Sequence, residues 1–121
     1  MSRPVLVVED SPTQRAALQR LFAELGSFHV AAGPQTADQA GRWLDANPEG
    51  WSLAVVDLIL EQGTGMSVIA RCRQRPAGSK VVVLSSYATP RVREHCLKLG
   101  ADAVFQKASE FGAFASYLRT L

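Results

Sequence analysis

Five short runs of apolar, mostly β-branched residues recur along the chain at intervals of roughly 25 residues: Val5–Val8, Phe28–Ala32, Leu53–Val56, Val81–Leu84 and Ala103–Phe105. Each run suits a strand and is too short for a buried helix. Each interval has room for one helix and two connections, the length that a parallel crossover requires. The runs are apolar at consecutive positions, so both faces of each strand are covered. The intervals carry helical signals. Ser11-Pro12 offers a cap followed by proline in the first turn, Leu18, Leu21, Phe22 and Leu25 form one stripe, and Gly26 stands where a helix ends in a left-handed residue. A second helix is expected from Thr36 to Asp45, with Ala37, Ala40 and Leu44 inward, and a third from Gly65 to Arg75, with Met66, Ile69 and Cys72 inward. A fourth runs from Thr89-Pro90 to Gly100 with Val92, Cys96 and Leu99 inward. A fifth starts at a Ser109 cap and carries Phe111, Phe114, Ala115 and Leu118. The pattern is an α/β fold of type (βα)5, a parallel sheet with helices on both faces.

With 121 residues, the chain suits one domain that can bury a core without disulfides, and a single unit over residues 1–121 is expected. The formal net charge of +2 argues against direct nucleic-acid binding, because no block of like charge stands out. The basic run Arg71-Cys72-Arg73-Gln74-Arg75 reads as the solvated end of the third helix, where cations suit the helix dipole. Cys72 and Cys96 fall within helical patterns at no metal-ligating spacing, which predicts buried free thiols in a reducing compartment. No signal peptide and no membrane span is legible, so a cytoplasmic location and no membrane partner are expected. His29 and His95 have no partner pattern and read as ordinary surface residues.

Open parallel sheets bind ligands beyond the carboxyl ends of their strands. The first run ends in Glu9-Asp10, the third in Asp57, the fourth in Ser85-Ser86, and the fifth near Lys107. Three carboxylates, a hydroxyl and an ammonium therefore converge on one edge. Adjacent carboxylates repel, and a hard divalent cation such as Mg²⁺ offsets that repulsion. An aspartate already ionised at neutral pH is a competent nucleophile toward phosphorus, and phosphoryl transfer is mostly positioning and charge stabilisation.

Val5–Val8 with Glu9-Asp10-Ser11, the segment Val55-Val56-Asp57-Leu58-Ile59-Leu60 followed by Gly63-Thr64-Gly65, Val81–Ser85, and Gly100-Ala101-Asp102 leading to Phe105-Gln106-Lys107 occur in order along nearly the whole chain. In this the chain resembles the receiver domain of bacterial response regulators, of the single-domain, chemotaxis-regulator kind. The resemblance implies a flavodoxin-like doubly wound sheet with strand order 2-1-3-4-5. It implies that Asp57 accepts a phosphoryl group. Asp10 would bind Mg²⁺ directly, Glu9 largely through water, and the Ile59 backbone carbonyl would complete the protein's metal ligands with Asp57. It gives Ser85 the hydroxyl that bonds the phosphoryl group and Lys107 the ammonium that pairs with it. The implied donor is a sensor histidine kinase, a phosphotransfer protein or a small acyl phosphate. The domain would catalyse its own phosphorylation and dephosphorylation, then signal through a downstream protein, an output domain or a phosphorylation-dependent homodimer. The family's usual output face would here include Arg91, Glu94, Lys98 and parts of the fifth helix.

Several positions depart from that pattern. Val104 stands where such domains usually carry an aromatic switch, and Phe105 should face the other side of its strand. Ala108 replaces a proline that often follows the lysine through a cis bond. A trans bond is expected here, since cis costs about 2.5–4 kcal/mol before a residue other than proline. Glu61 replaces another common proline. Ile59 and Tyr87, two residues after Asp57 and Ser85, offer no carboxylate or amide to orient an attacking water. A receiver-like interaction module working without phosphorylation is the alternative reading. An aspartyl phosphatase fits poorly, because its second aspartate would fall at Ile59.

Overall fold

A computed structural model describes residues 2–121. The elements alternate as expected: β1 (Arg3–Val8), α1 (Pro12–Leu25), β2 (Phe28–Ala32), α2 (Ala37–Ala46), β3 (Leu53–Val56), α3 (Gly65–Arg71), β4 (Lys80–Ser85), α4 (Pro90–Leu99), β5 (Ala103–Gln106) and α5 (Lys107–Arg119). All neighbouring strands pair in parallel, in the order β2-β1-β3-β4-β5.

Strand alternation sorts the core into two layers. Leu6, Val8, Ala54, Val56, Val81, Val83 and Val104 meet Ala40 and Leu44 of α2, Val68 and Ile69 of α3, and Cys96 of α4. Val5, Val7, Leu53, Val55, Val82 and Leu84 face the other way, onto Leu18, Leu21 and Phe22 of α1 and Phe114 and Leu118 of α5. Each fully buried Val, Leu or Phe contributes about 1.5–3 kcal/mol. The central strands β1, β3 and β4 are buried on both faces because their runs lack polar interruptions. Trp51 is buried within the first layer and its carbonyl accepts the Ser79 hydroxyl at 2.8 Å, while Trp43 packs half-buried on the flank of that layer.

Local signals act where they stand. Ser11 caps α1 by accepting the Gln14 N–H, Thr36 caps α2 and Thr89 caps α4, and Gly26 and Gly100 close α1 and α4 in the left-handed region. Two expectations need correction. The third helix ends at Arg71, four residues short of Arg75. Pro76 disfavours helical backbone at Arg75, and Arg75 is not solvated: its guanidinium binds the carbonyls of Cys72 and Gly100 and the Asp102 carboxylate at 3.0, 2.6 and 2.6 Å. The fifth helix begins at Lys107, before Ser109, and breaks locally at Glu110, whose carboxylate reaches back to the Gln106 N–H at 2.8 Å. That acid takes the amide of the N-cap residue Gln106 from four residues on, one more than the spacing of a capping box. No peptide bond among the described residues is cis, as expected for Lys107–Ala108.

Candidate functional site

The strand order reverses direction between β1 and β3, which opens a crevice at their carboxyl ends. Glu9 and Asp10 enter it from β1, and Asp57 from β3. The three offer carboxylate oxygens that lie within 4.8 Å of one another. Lys107 arrives from the junction of β5 and α5 and joins two of them. Its Nζ lies 2.7 Å from Glu9 Oε1 and 3.0 Å from Asp57 Oδ2. Glu9 is 2% exposed and Asp57 6%. The ion pairs are therefore buried, where loss of one partner leaves an uncompensated charge.

Burial pushes the Glu9 carboxyl above its usual range, only partly offset by the hydrogen bonds from Lys107 and the Ser11 amide. For Lys107, burial works against the charged form, but the hydrogen bonds and charges of Glu9 and Asp57 outweigh it and hold the ammonium above its ordinary pKa. The second oxygens are also engaged: Ser11 N–H donates to Glu9 Oε2 at 3.1 Å, and Ile59 N–H to Asp57 Oδ1 at 3.4 Å.

Two bulky side chains stand two residues beyond Asp57 and Ser85. Ile59 is 53% exposed and Tyr87 58%, and with Leu58, Thr64, Met66 and Val92 they line a groove of about 180 Å³. Ser85 is fully buried at the end of β4, and its hydroxyl oxygen accepts the Tyr87 N–H at 3.2 Å. The structure thus unites Glu9, Asp10, Asp57 and Lys107, whereas the Ser85 hydroxyl is turned to its own loop. Val104 is buried against the α2–α4 layer, and Phe105 packs on the other side against Phe114 and Tyr117, with ring centroids 5.8 and 5.7 Å apart. No aromatic residue of β5 therefore lies on the face that holds Val104.

Three supporting residues escaped the reading of the sequence. Arg15 donates to the Gly33 carbonyl at 2.8 Å and to the Glu9 carbonyl at 3.4 Å, tying α1 to the acid corner. A Cβ at Gly33 would stand 2.6 Å from the guanidinium, so glycine admits it. Arg93 and Glu110 form the other tie, beside Lys107. Glu110 stands four residues after Gln106, outside the three-residue spacing of a capping box, and long-range arginine contacts leave no mark in a sequence. His29 and His95 are exposed, as expected, with His29 bonded to Ser2. Cys72 and Cys96 are buried free thiols, and burial pushes the Cys72 thiol up to about 11, which argues against thiolate chemistry at neutral pH.

A hard cation fits this donor set: three carboxylates gathered at one point, with an ammonium reaching two of them. No helix among the described residues is long and apolar enough to cross a membrane.

The family model for the response regulator receiver domain matches residues 5–119. A photosynthetic apparatus regulatory protein, RegA, from Rhodovulum sulfidophilum is 32% identical over 110 residues, covering 88% of this chain and 55% of that protein. A gliding motility regulatory protein from Myxococcus xanthus is 31% identical over 105 residues, covering 85% of this chain and 13% of that protein. The chain thus spans about half the length of the first of these relatives and a small part of the second. A complex of CheX with CheY, beryllofluoride and magnesium from Borrelia burgdorferi has the same fold, with a TM-score of 0.86 at 15% identity, over 98% of this chain and 87% of that one.

Proposed function

Since the chain belongs to the response regulator receiver domain family of two-component signalling, we propose that Asp57 is its phosphoacceptor and that residues 1–121 act as one receiver unit. The observation that carries this reading is the Lys107 ammonium bridging Glu9 and Asp57 at 2.7 and 3.0 Å beside Asp10. A carboxylate oxygen of Asp57 attacks the phosphorus of the donor. The bond from phosphorus to the leaving group breaks, and that group, an imidazole or a carboxylate, departs with the electron pair. An acyl phosphate remains on Asp57. Lys107 stabilises charge on the transferred group, and Ser85 supplies a hydroxyl to it once that hydroxyl turns from the Tyr87 amide. Glu9, Asp10, Asp57 and the Ile59 carbonyl would hold Mg²⁺, which offsets the negative charge of the acids and of the incoming phosphoryl group. The donor is a sensor histidine kinase or a phosphotransfer protein, and the signal leaves by protein contact, to a downstream partner, an output domain or a second copy.

Intact mass after incubation with acetyl phosphate tests this. One phosphoryl group should be gained with Mg²⁺, and none in EDTA or in Asp57→Asn. Because an acyl phosphate can decay before detection, beryllofluoride binding is measured in parallel. Silence in both assays would replace this reading with a module that binds its partner without phosphorylation.

Dephosphorylation should be slow. Water must approach phosphorus from the side opposite Asp57, and Ile59 and Tyr87, two residues after Asp57 and Ser85, offer no carboxylate or amide to orient it. Ile59→Asn combined with Tyr87→Glu should hasten decay of the label by about tenfold or more. An unchanged decay rate would show that these two side chains do not set the lifetime.

A further inference from the structure

β5 is an edge strand, and one side of its backbone has no neighbouring strand. The Lys80 N–H donates to the Ser52 carbonyl, so even-numbered residues of β4 turn their backbone groups to β3 and odd-numbered ones to β5. With Val82 paired to Ala103 and Leu84 to Phe105 in register, the backbone groups of Val104 and Gln106 fall on the open side. Open edges are normally blunted or covered. Here two side chains from different helices take these groups. Arg93 of α4 donates through Nη1 to the Val104 carbonyl. Glu110 of α5 accepts the Gln106 N–H at 2.8 Å, and its same oxygen pairs with Arg93 Nη2 at 2.7 Å. The backbone breaks from helix at Glu110, with φ −124° and ψ 16°, as the carboxylate folds back.

The next residue after Gln106 is Lys107, so the pair grips the chain one residue before the ammonium that joins Glu9 to Asp57. Ala108 gives this corner none of the rigidity that a proline would impose on φ. We propose that Arg93 and Glu110 are positioning residues for Lys107: together they stand in for a sixth strand at the open edge of β5 and aim the ammonium at the acid cluster. The inference rests on the function proposed for that cluster. It also means that any shift of α4 is felt at Lys107 through one side chain.

The test uses the full chain with Arg93→Ala, Glu110→Gln and Arg93→Lys. Two quantities are read: the rate of Asp57 phosphorylation from acetyl phosphate at saturating Mg²⁺, and the side-chain ¹³Cε resonance of Lys107 without phosphodonor. Arg93→Ala should slow phosphorylation between about tenfold and a hundredfold, the range expected when a catalytic group is misplaced by a fraction of an ångström to an ångström, and Glu110→Gln, which loses only the charge that holds Arg93, by a smaller factor above about twofold. The Lys107 resonance should move toward that of exposed lysines, and Arg93→Lys should restore part of both. Glu110→Gln keeps an acceptor for the Gln106 amide and the shape of the side chain, so it guards against a variant that merely fails to fold. A Lys107 resonance unmoved in folded Glu110→Gln and Arg93→Ala, or rates within twofold of the wild type, would overturn the proposal. If the wild type takes no phosphoryl group, the function proposed above fails. The resonance still decides whether the pair positions Lys107.

Discussion

Gly65→Ala is expected to destabilise the fold by about 3–5 kcal/mol, which places it among the severe single substitutions. A Cβ built at Gly65 would lie 2.0 Å from the Asp57 carbonyl oxygen, 2.8 Å from its carbonyl carbon and 2.9 Å from Leu58 Cα. All three are backbone atoms, so no side chain can swing aside. The segment is also pinned from both directions. Gly65 N–H donates to the Leu58 carbonyl at 3.0 Å, and Ile59 bridges Thr64 in antiparallel fashion. The extra methyl must push apart the loop that carries Asp57 or the start of α3. The melting temperature should fall by about 10 °C or more, and phosphorylation should fall with it, because the displaced carbonyl belongs to Asp57, the proposed phosphoacceptor. Gly112→Ala in α5 serves as the control. Among the described residues nothing outside its own helix lies within 4 Å of a Cβ there, and φ is not positive, so that change should stabilise by about 0.5–1 kcal/mol. A Gly65→Ala protein that melts within a few degrees of the wild type would contradict the close approach.

Gly65 also marks how far a sequence can be read. Its place in Gly63-Thr64-Gly65 was legible as part of a pattern, but the carbonyl it must clear belongs to a residue eight positions earlier. The strands were legible because β1, β3 and β4 are apolar on both faces, a signature with few alternatives. The starts of α1, α2 and α4 were legible because their caps are local: Ser11, Thr36 and Thr89 each accept an amide three residues on. Where a boundary depends on a distant partner, periodicity misplaced it. α3 stops at Arg71 while Arg75 is drawn to Gly100 and Asp102, and α5 starts early because Glu110, held by Arg93, folds back. The same distinction holds at the site. Glu9, Asp10, Asp57 and Lys107 stand at strand ends, where topology alone brings them together. The orientation of the Ser85 hydroxyl, and the ties made by Arg15 and Arg93, depend on packing that spacing does not encode.

Lys107→Met should cost about 3–5 kcal/mol in EDTA at neutral pH, the range for breaking a buried ion pair from one side. The ammonium is the cation shared by Glu9 and Asp57, and both carboxylates are almost fully buried. Methionine is one atom shorter but keeps the unbranched apolar stem of the side chain, so the loss is mainly electrostatic. The pH dependence has a definite sign. The folded pKa of Lys107 is raised, so its stabilising contribution is complete at neutral pH and is lost only as pH rises through that raised value. Glu9 is also raised in the folded state, by burial, so its neutral form favours folding below the ordinary carboxylate range and that advantage is lost as pH rises through the folded value. Without Lys107 only the Ser11 amide opposes that rise. The variant should therefore be hurt most at about pH 8 and progressively less toward about pH 5, as a carboxyl of the cluster takes up a proton. Saturating Mg²⁺ should reverse part of the damage at the higher pH, and it should raise the melting temperature of the variant more than that of the wild type, because the cation then meets two carboxylates that no ammonium already neutralises. Urea unfolding of both proteins, with EDTA and with Mg²⁺, at both pH values, measures every term. If the variant lost less than about 1 kcal/mol and its midpoint ignored Mg²⁺, the acids would not form one electrostatic unit with Lys107, and the case for cation-assisted phosphorylation of Asp57 would lose its physical basis.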